Sequence, residues 1–150
     1  MRVYLVIMDE TDEANVALRF ASRRAVRTGG TVHLLALLPR QQFVAFGGIQ
    51  ATIEEEARVR AEALVTAAAG SLLSEGAKPP VIAVISGDGV QVIRDYLAQH
   101  PEVSALVLGA AASGGPGPLV SHFTANAGQL PCPVYIIPGS MPEGELDRLS

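Results

Sequence analysis

Five short apolar runs punctuate the chain, and between them the apolar positions fall at helical spacing. The first, residues 3–8 (Val3-Tyr4-Leu5-Val6-Ile7-Met8), is continuous rather than alternating, the pattern of a strand covered on both faces. Residues 31–38, 81–85, 103–108 and 134–137 repeat it, each bounded by Gly, Pro or polar residues. After the first run, Thr11 or Asp12 is placed to cap a helix whose apolar stripe is Ala14, Ala17, Leu18, Ala21 and Ala25, with Arg19, Arg23 and Arg27 off that stripe. Gly29-Gly30 stops it. A long helix is expected from residue 51 to about 75, with Ile53, Ala57, Leu64, Ala68 and Leu72 inward and Glu54/Arg58 and Glu56/Arg60 at i,i+4. Further helices are expected over residues 90–100 and 119–130.

Strands alternating with helices imply a three-layer α/β/α sandwich around a five-stranded parallel sheet. No internal repeat or linker interrupts it, so residues 1–140 read as one domain and residues 141–150 as a polar, loosely held tail. Ligands of such sheets bind beyond the carboxyl ends of the strands, where the strand order reverses. Order 2-1-3-4-5 would join Asp9 to Asp88, as in a phospho-acceptor receiver. That chemistry needs a lysine after the fifth strand, but Pro138-Gly139-Ser140 stands there and the only lysine is Lys78. Order 3-2-1-4-5 joins Asp9 to the chain after Gly109, and the long small-residue loop at that point favours it.

Composition narrows the function. The chain has 150 residues, a net charge of −4 and an aliphatic rather than aromatic apolar set. No basic stripe exists to release counterions, which argues against nucleic acid. The first apolar run is too short to span a membrane and lacks a signal-peptide pattern, and Cys132 is alone. A cytoplasmic protein with no membrane partner is the expectation. Residues 40–50, with Phe43 and Phe46 beside Gly47-Gly48, read as a lid or a partner surface.

The loop after the fourth strand, Gly109-Ala110-Ala111-Ala112-Ser113-Gly114-Gly115-Pro116-Gly117-Pro118, is longer than a connection requires. Its glycines allow close backbone approach, and the helix that follows offers free N–H groups with the Ser121 hydroxyl in its first turn. A phosphate-bearing ligand is the functional reading; an unliganded surface loop is the plain one. Asp9, Glu10, Asp12 and Glu13 read first as a helix-capping cluster and second as partners of a magnesium ion carried in by phosphates. Neither Gly87-x-Gly89 nor Gly115-x-Gly117 completes a dinucleotide fingerprint, and no P-loop occurs. His33, His100 and His122 lie in separate elements without ligand spacing, so no metal site is assigned. Ser121 and His122 are neighbours that do not face each other on a helix. With no catalytic group beyond Asp9 or Glu10 in view, slow hydrolysis of a bound nucleotide is the most that is expected.

The strand exit Val6-Ile7-Met8-Asp9, the run Val32-His33-Leu34-Leu35-Ala36-Leu37, Ser86-Gly87-Asp88, Val107-Leu108-Gly109 and Pro131-Cys132-Pro133-Val134, in that order and spacing, resemble the universal stress protein family over nearly the whole chain. The resemblance implies an adenine nucleotide alpha hydrolase-like 3-2-1-4-5 sheet, frequent dimers, and in some members an ATP or AMP pocket. The pocket motif of those members resembles Gly-x2-Gly-x9-Gly-Ser/Thr. Gly109 matches its first glycine, but Ala112 stands at the second and Val120 before Ser121 at the last pair, with Pro116 and Pro118 in a shorter loop. Carried over, the candidate nucleotide residues are Asp9, Glu10, Leu35, Ala36, Leu37, Gly109, Ala111, Ala112, Gly114, Gly115, Gly117, Val120, Ser121 and His122, with magnesium accompanying phosphates. The fifth strand, as an apolar edge, makes Val134, Tyr135, Ile136 and Ile137 the candidate homodimer seam. The alternative is a dimeric regulator that binds no nucleotide and works through contacts with a protein partner.

Overall fold

Each predicted strand is present in the computed structural model, which describes residues 1–38 and 47–150, with side chains from residue 52 onward in the second stretch. The strands β1 (Val3–Met8), β2 (Thr31–Leu38), β3 (Val81–Ser86), β4 (Ala105–Ala110) and β5 (Val134–Pro138) form one parallel sheet in the order 3-2-1-4-5. All six residues of β1 are buried, because both faces of the central strand are covered. Tyr4, Val6 and Met8 join a core with α1 (Asp12–Thr28) and α2 (Gly47–Ser74). Val3, Leu5 and Ile7 join a second core with α3 (Gly89–Gln99) and α4 (Pro118–Ala125). The winding explains the division. Two crossovers carry the chain outward from β1 to β3, and α3 then carries it back across the sheet to β4, so right-handed connections place its helices on the opposite face.

The local signals behave as their chemistry requires. The Thr11 side chain caps α1 by accepting from the Ala14 N–H at 3.2 Å, and Gly29 ends it at φ 69°. The five residues of the α1 stripe are all buried. Asp88 caps α3 by accepting from the Gln91 N–H at 3.1 Å. Two helix boundaries differ from expectation. The α2 helix begins at Gly47, not residue 51, so a glycine pair costing about 1 kcal/mol per residue did not stop it. The helix expected over residues 119–130 is split into α4 and a 3-10 turn (Ala127–Gln129). There the Asn126 side chain donates to the His122 carbonyl at 2.9 Å, and Leu130, preceding Pro131, is extended. Arg60 pairs with Glu10 at 3.8 Å instead of with Glu56. Of the segment read as a lid, residues 40–46 lie outside the described residues.

The expectation of a loose tail is overturned. Residues Glu143–Leu149 form α5, which buries Leu146 to 1% exposure against the α1 side of the sheet. The arginines left off the apolar stripe of α1 supply the reason. Asp147 accepts a two-pronged contact from Arg19 (3.1 and 3.0 Å) and lies 3.2 Å from Arg23. Arg27 donates to the Asp147 and Ser150 carbonyls.

The Arg19 guanidinium, with Arg23 and Arg27 beyond it, holds the Asp147 carboxyl below the usual carboxylate range. A depressed carboxyl adds stability above the unfolded pKa and loses it as pH falls through the folded one. Asp147→Asn is therefore expected to lower stability at neutral pH, with the gap to the parent closing as pH falls below about 4. Urea denaturation across pH checks it; a gap independent of pH would exclude the charge as its cause.

Candidate functional site

The sheet opens where its winding reverses. β1 pairs with β2 as far as Met8↔Ala36 but with β4 only as far as Val6↔Val107, so the carboxyl ends of β1 and β4 part. Asp9 stands at that parting. Its carboxylate accepts from the Thr11 N–H at 2.9 Å and from the Thr11 hydroxyl, which fixes the acid at the mouth of the crevice.

A cleft lies on each side of Asp9. Toward β4, a cavity of about 120 Å³ is lined by Ile7, Asp9 and Glu13 on one wall and by Gly109, Gly117 and Val120 on the other. Toward β2, a cavity of about 240 Å³ is bounded by Asp9, Glu10, Ala36, Leu37 and, from α2, Arg60 and Leu64. The first is acidic, whereas the second brings a cation beside Glu10. The two clefts therefore present acceptors for hydroxyl and amine donors at Asp9, apolar walls from the strand ends, and one guanidinium.

The loop above β4 closes on itself through the Ala111 N–H and the Pro116 carbonyl at 3.2 Å. Gly114, Gly115 and Gly117 have φ of 75°, 90° and 101°, and a Cβ built on any of them would meet nothing within 4 Å. Their backbone is thus free to be approached. Gly117 precedes α4 without a side-chain cap, and Pro118 contributes no N–H, which leaves those of Leu119 and Val120 in the first turn.

The fold brings Asp9, Glu10, Ala36, Leu37, Gly109, Gly117 and Val120 to the clefts. It does not bring all the candidates there. Leu35 is fully buried in the α3–α4 core, and Ala111, Ala112, Gly114 and Gly115 crown the loop outside either lining. Ser121 is exposed on α4, because a start at Pro118 turns Val120 and Phe123 inward. His122 points away, its Nε2 lying 3.2 Å from an Arg94 nitrogen. Gly109 has a packing role. A Cβ there would stand 2.0 Å from the Glu13 carbonyl oxygen, so the first turn of α1 presses directly on this residue. Gly139 serves the same contact, with Ala110 O at 2.6 Å and Glu13 Cβ at 3.0 Å from a Cβ built on it. Sequence reasoning missed Arg60, Thr11 and Gly139. Only Thr11, as a cap, carried a local signal. Cys132 is half-buried, and burial pushes its thiol up, away from a nucleophilic thiolate. Among the described residues no helix is long and apolar enough to cross a membrane.

Residues 1–138 match the model of the universal stress protein family. Solved structures of the same fold include a universal stress protein from Lactobacillus plantarum, 20% identical, with 91% of this chain and 97% of that one covered and a TM-score of 0.77. Another is a universal stress protein from Archaeoglobus fulgidus in complex with dAMP, 22% identical, covering 91% and 97%, TM-score 0.63. A third is a family protein from Arabidopsis thaliana with AMP bound, 17% identical, covering 92% of each chain, TM-score 0.64. No curated protein matches the chain.

The contact at Gly109 yields a sharp expectation. Gly109→Ala drives a methyl into a backbone carbonyl that no rotamer can move, and should cost about 3 kcal/mol in urea denaturation. Gly128→Ala, in open space, should stay within about 0.5 kcal/mol. Equal stabilities would show that α1 does not rest on Gly109.

Proposed function

The chain belongs to the universal stress protein family, and we propose that it is a cytoplasmic stress-response module that binds an adenine nucleotide, ATP or AMP, in the crevice between β1 and β4. The observation that carries this reading is the pair of clefts flanking Asp9 at the point where the strand order reverses. Neither cleft alone reaches the roughly 300 Å³ at the lower end of pockets for drug-sized ligands, so a nucleotide would span Asp9. In that arrangement the base lies against Ala36 and Leu37, and Asp9 accepts from the sugar or base. The phosphates lie toward Gly114, Gly115, Gly117 and the start of α4. The AMP and dAMP bound by the relatives from Arabidopsis and Archaeoglobus support the ligand class.

Phosphates here would face Asp9, Glu10 and Glu13, with Arg60 the nearby cation. Mg²⁺ accompanying them would neutralise that repulsion, with Asp9 and Glu10 as its protein-side partners. Among the described residues no group is set as a dedicated general base, so hydrolysis, where it occurs, is slow.

Calorimetric titration with ATP and AMP, each with and without Mg²⁺, tests the reading. Micromolar affinity is expected, and Asp9→Ala should weaken it at least about tenfold, as loss of hydrogen bonds to a charged acceptor does. No heat from either nucleotide would overturn it in favour of a regulator acting by protein contacts. The exposed apolar pair Val81 and Ile82 on the β3 edge is the feature that favours this second reading.

We place the proposed homodimer seam on β5, the last strand of the sheet, whose outer backbone groups have no strand partner among the described residues of one chain. Tyr135 and Ile137 face α1, with the Tyr135 ring 5.7 Å from that of Phe20, so Val134 to Ile137 present their edge rather than a loose face. Sedimentation equilibrium should return twice the chain mass, unchanged by Val81→Lys at the opposite edge. A single-chain mass would exclude the dimer, and its loss on Val81→Lys would move the seam to β3.

A further inference from the structure

At the opposite end of the sheet, away from Asp9, the fold gathers two histidines that lie 67 positions apart in the chain. His33 stands near the start of β2, where it pairs with Leu5 and Val81, and is 6% exposed. His100 follows the last turn of α3 as its C-cap, and Glu102 lies in the turn that leads to β4. One ring nitrogen from each histidine and one oxygen of Glu102 all lie within 4.8 Å of one another. We propose that His33, His100 and Glu102 form a binding site for a divalent transition-metal ion of the zinc class.

The donor set decides the class of ion. Two imidazoles and one carboxylate suit Zn²⁺, Co²⁺ or Ni²⁺, and Mg²⁺ and Ca²⁺ prefer all-oxygen shells. Three protein ligands leave a tetrahedral ion one position for water, and the half-exposed His100 and Glu102 leave that side reachable from solvent. Ligand atoms around a tetrahedral zinc stand about 3.3 Å apart, against separations within 4.8 Å in this group, so an adjustment of the partly exposed Glu102 and His100 side chains completes the site.

The surroundings already hold the rings. The Tyr96 hydroxyl lies 2.7 Å from His33 Nδ1, which fixes the buried imidazole. The Tyr96 ring stacks on His100 with centroids 4.1 Å apart, and the two imidazoles meet edge to face at 5.9 Å. Such outer contacts orient ligands before the ion arrives. His100 Nδ1 and Glu102 Oε1 lie 2.7 Å apart, the spacing of a hydrogen bond, and an entering ion would displace a proton held there. Bound, the ion would tie the end of α3 to β2, joining helix and sheet at the end remote from the crevice.

The test is titration of EDTA-treated protein with Zn²⁺ by calorimetry and with Co²⁺ by visible absorption, in excess Mg²⁺ to occupy the carboxylates near Asp9. One Zn²⁺ per chain and the intense spectrum of four-coordinate Co²⁺ are expected. His100→Ala should weaken Zn²⁺ at least about 100-fold and Glu102→Gln about tenfold. Both positions are partly exposed, so both variants should fold, which circular dichroism confirms before titration; His33 is left intact because it is core. Absence of stoichiometric Zn²⁺ binding, or parent-like affinity in either folded variant, overturns the site. Nucleotide binding at the other end is not a condition for either outcome.

Discussion

The close approach of the first turn of α1 to β4 and the end of β5 is the contact on which the shape of the candidate site depends. Glu13 backbone lies where a side chain on Gly109 would have to go, and Gly139, just past the end of β5, accommodates the same turn. A glycine on β4 and another just beyond β5 therefore let α1 ride low over the sheet. This draws Asp9 and Thr11 to the edge of the opening between β1 and β4. The opening itself follows from topology, since strands wound in opposite directions from a common centre leave their connecting helices on opposite faces.

That geometry also sets the electrostatics. A helix start welcomes negative charge, which accounts for Asp9, Glu10, Asp12 and Glu13 clustering there. Asp9, Glu10 and Glu13 also line the two clefts, so an anionic ligand meets repulsion unless a cation comes with it or its charged end lies outward over the glycine loop. Arg60, arriving from α2, is the local counterweight. The arginines on α1 serve elsewhere. Arg19, Arg23 and Arg27 converge on α5, and Glu75 near the end of α2 joins them at 3.8 Å from both Arg19 and Arg23.

Much of this was legible in the chain because it rests on local rules. Continuous apolar runs fix the strands, Thr11 and Gly29 mark the ends of α1, and the long loop after Gly109 selects the strand order. What could not be read depends on contacts distant in sequence. The α5 helix has one buried apolar residue, Leu146, and is held by arginines more than 100 positions away, so no periodicity announces it. That Ser121 and His122 do not line the clefts has a narrower cause. Helix phase is set by where the helix begins, and the start at Pro118 turns Val120 inward and Ser121 outward. His33 and His100 meet only because β2 and α3 are adjacent in the fold.

The proposed adenine-nucleotide site is the crevice around Asp9. Amide chemical-shift mapping on isotope-labelled protein, titrated with ATP and Mg²⁺, is the decisive experiment. Saturable shifts are expected at residues 9–13, 36–38 and 109–120, with the residues around His33 and His100 unmoved. Shifts confined to the β3 edge, or none at millimolar nucleotide, would contradict it.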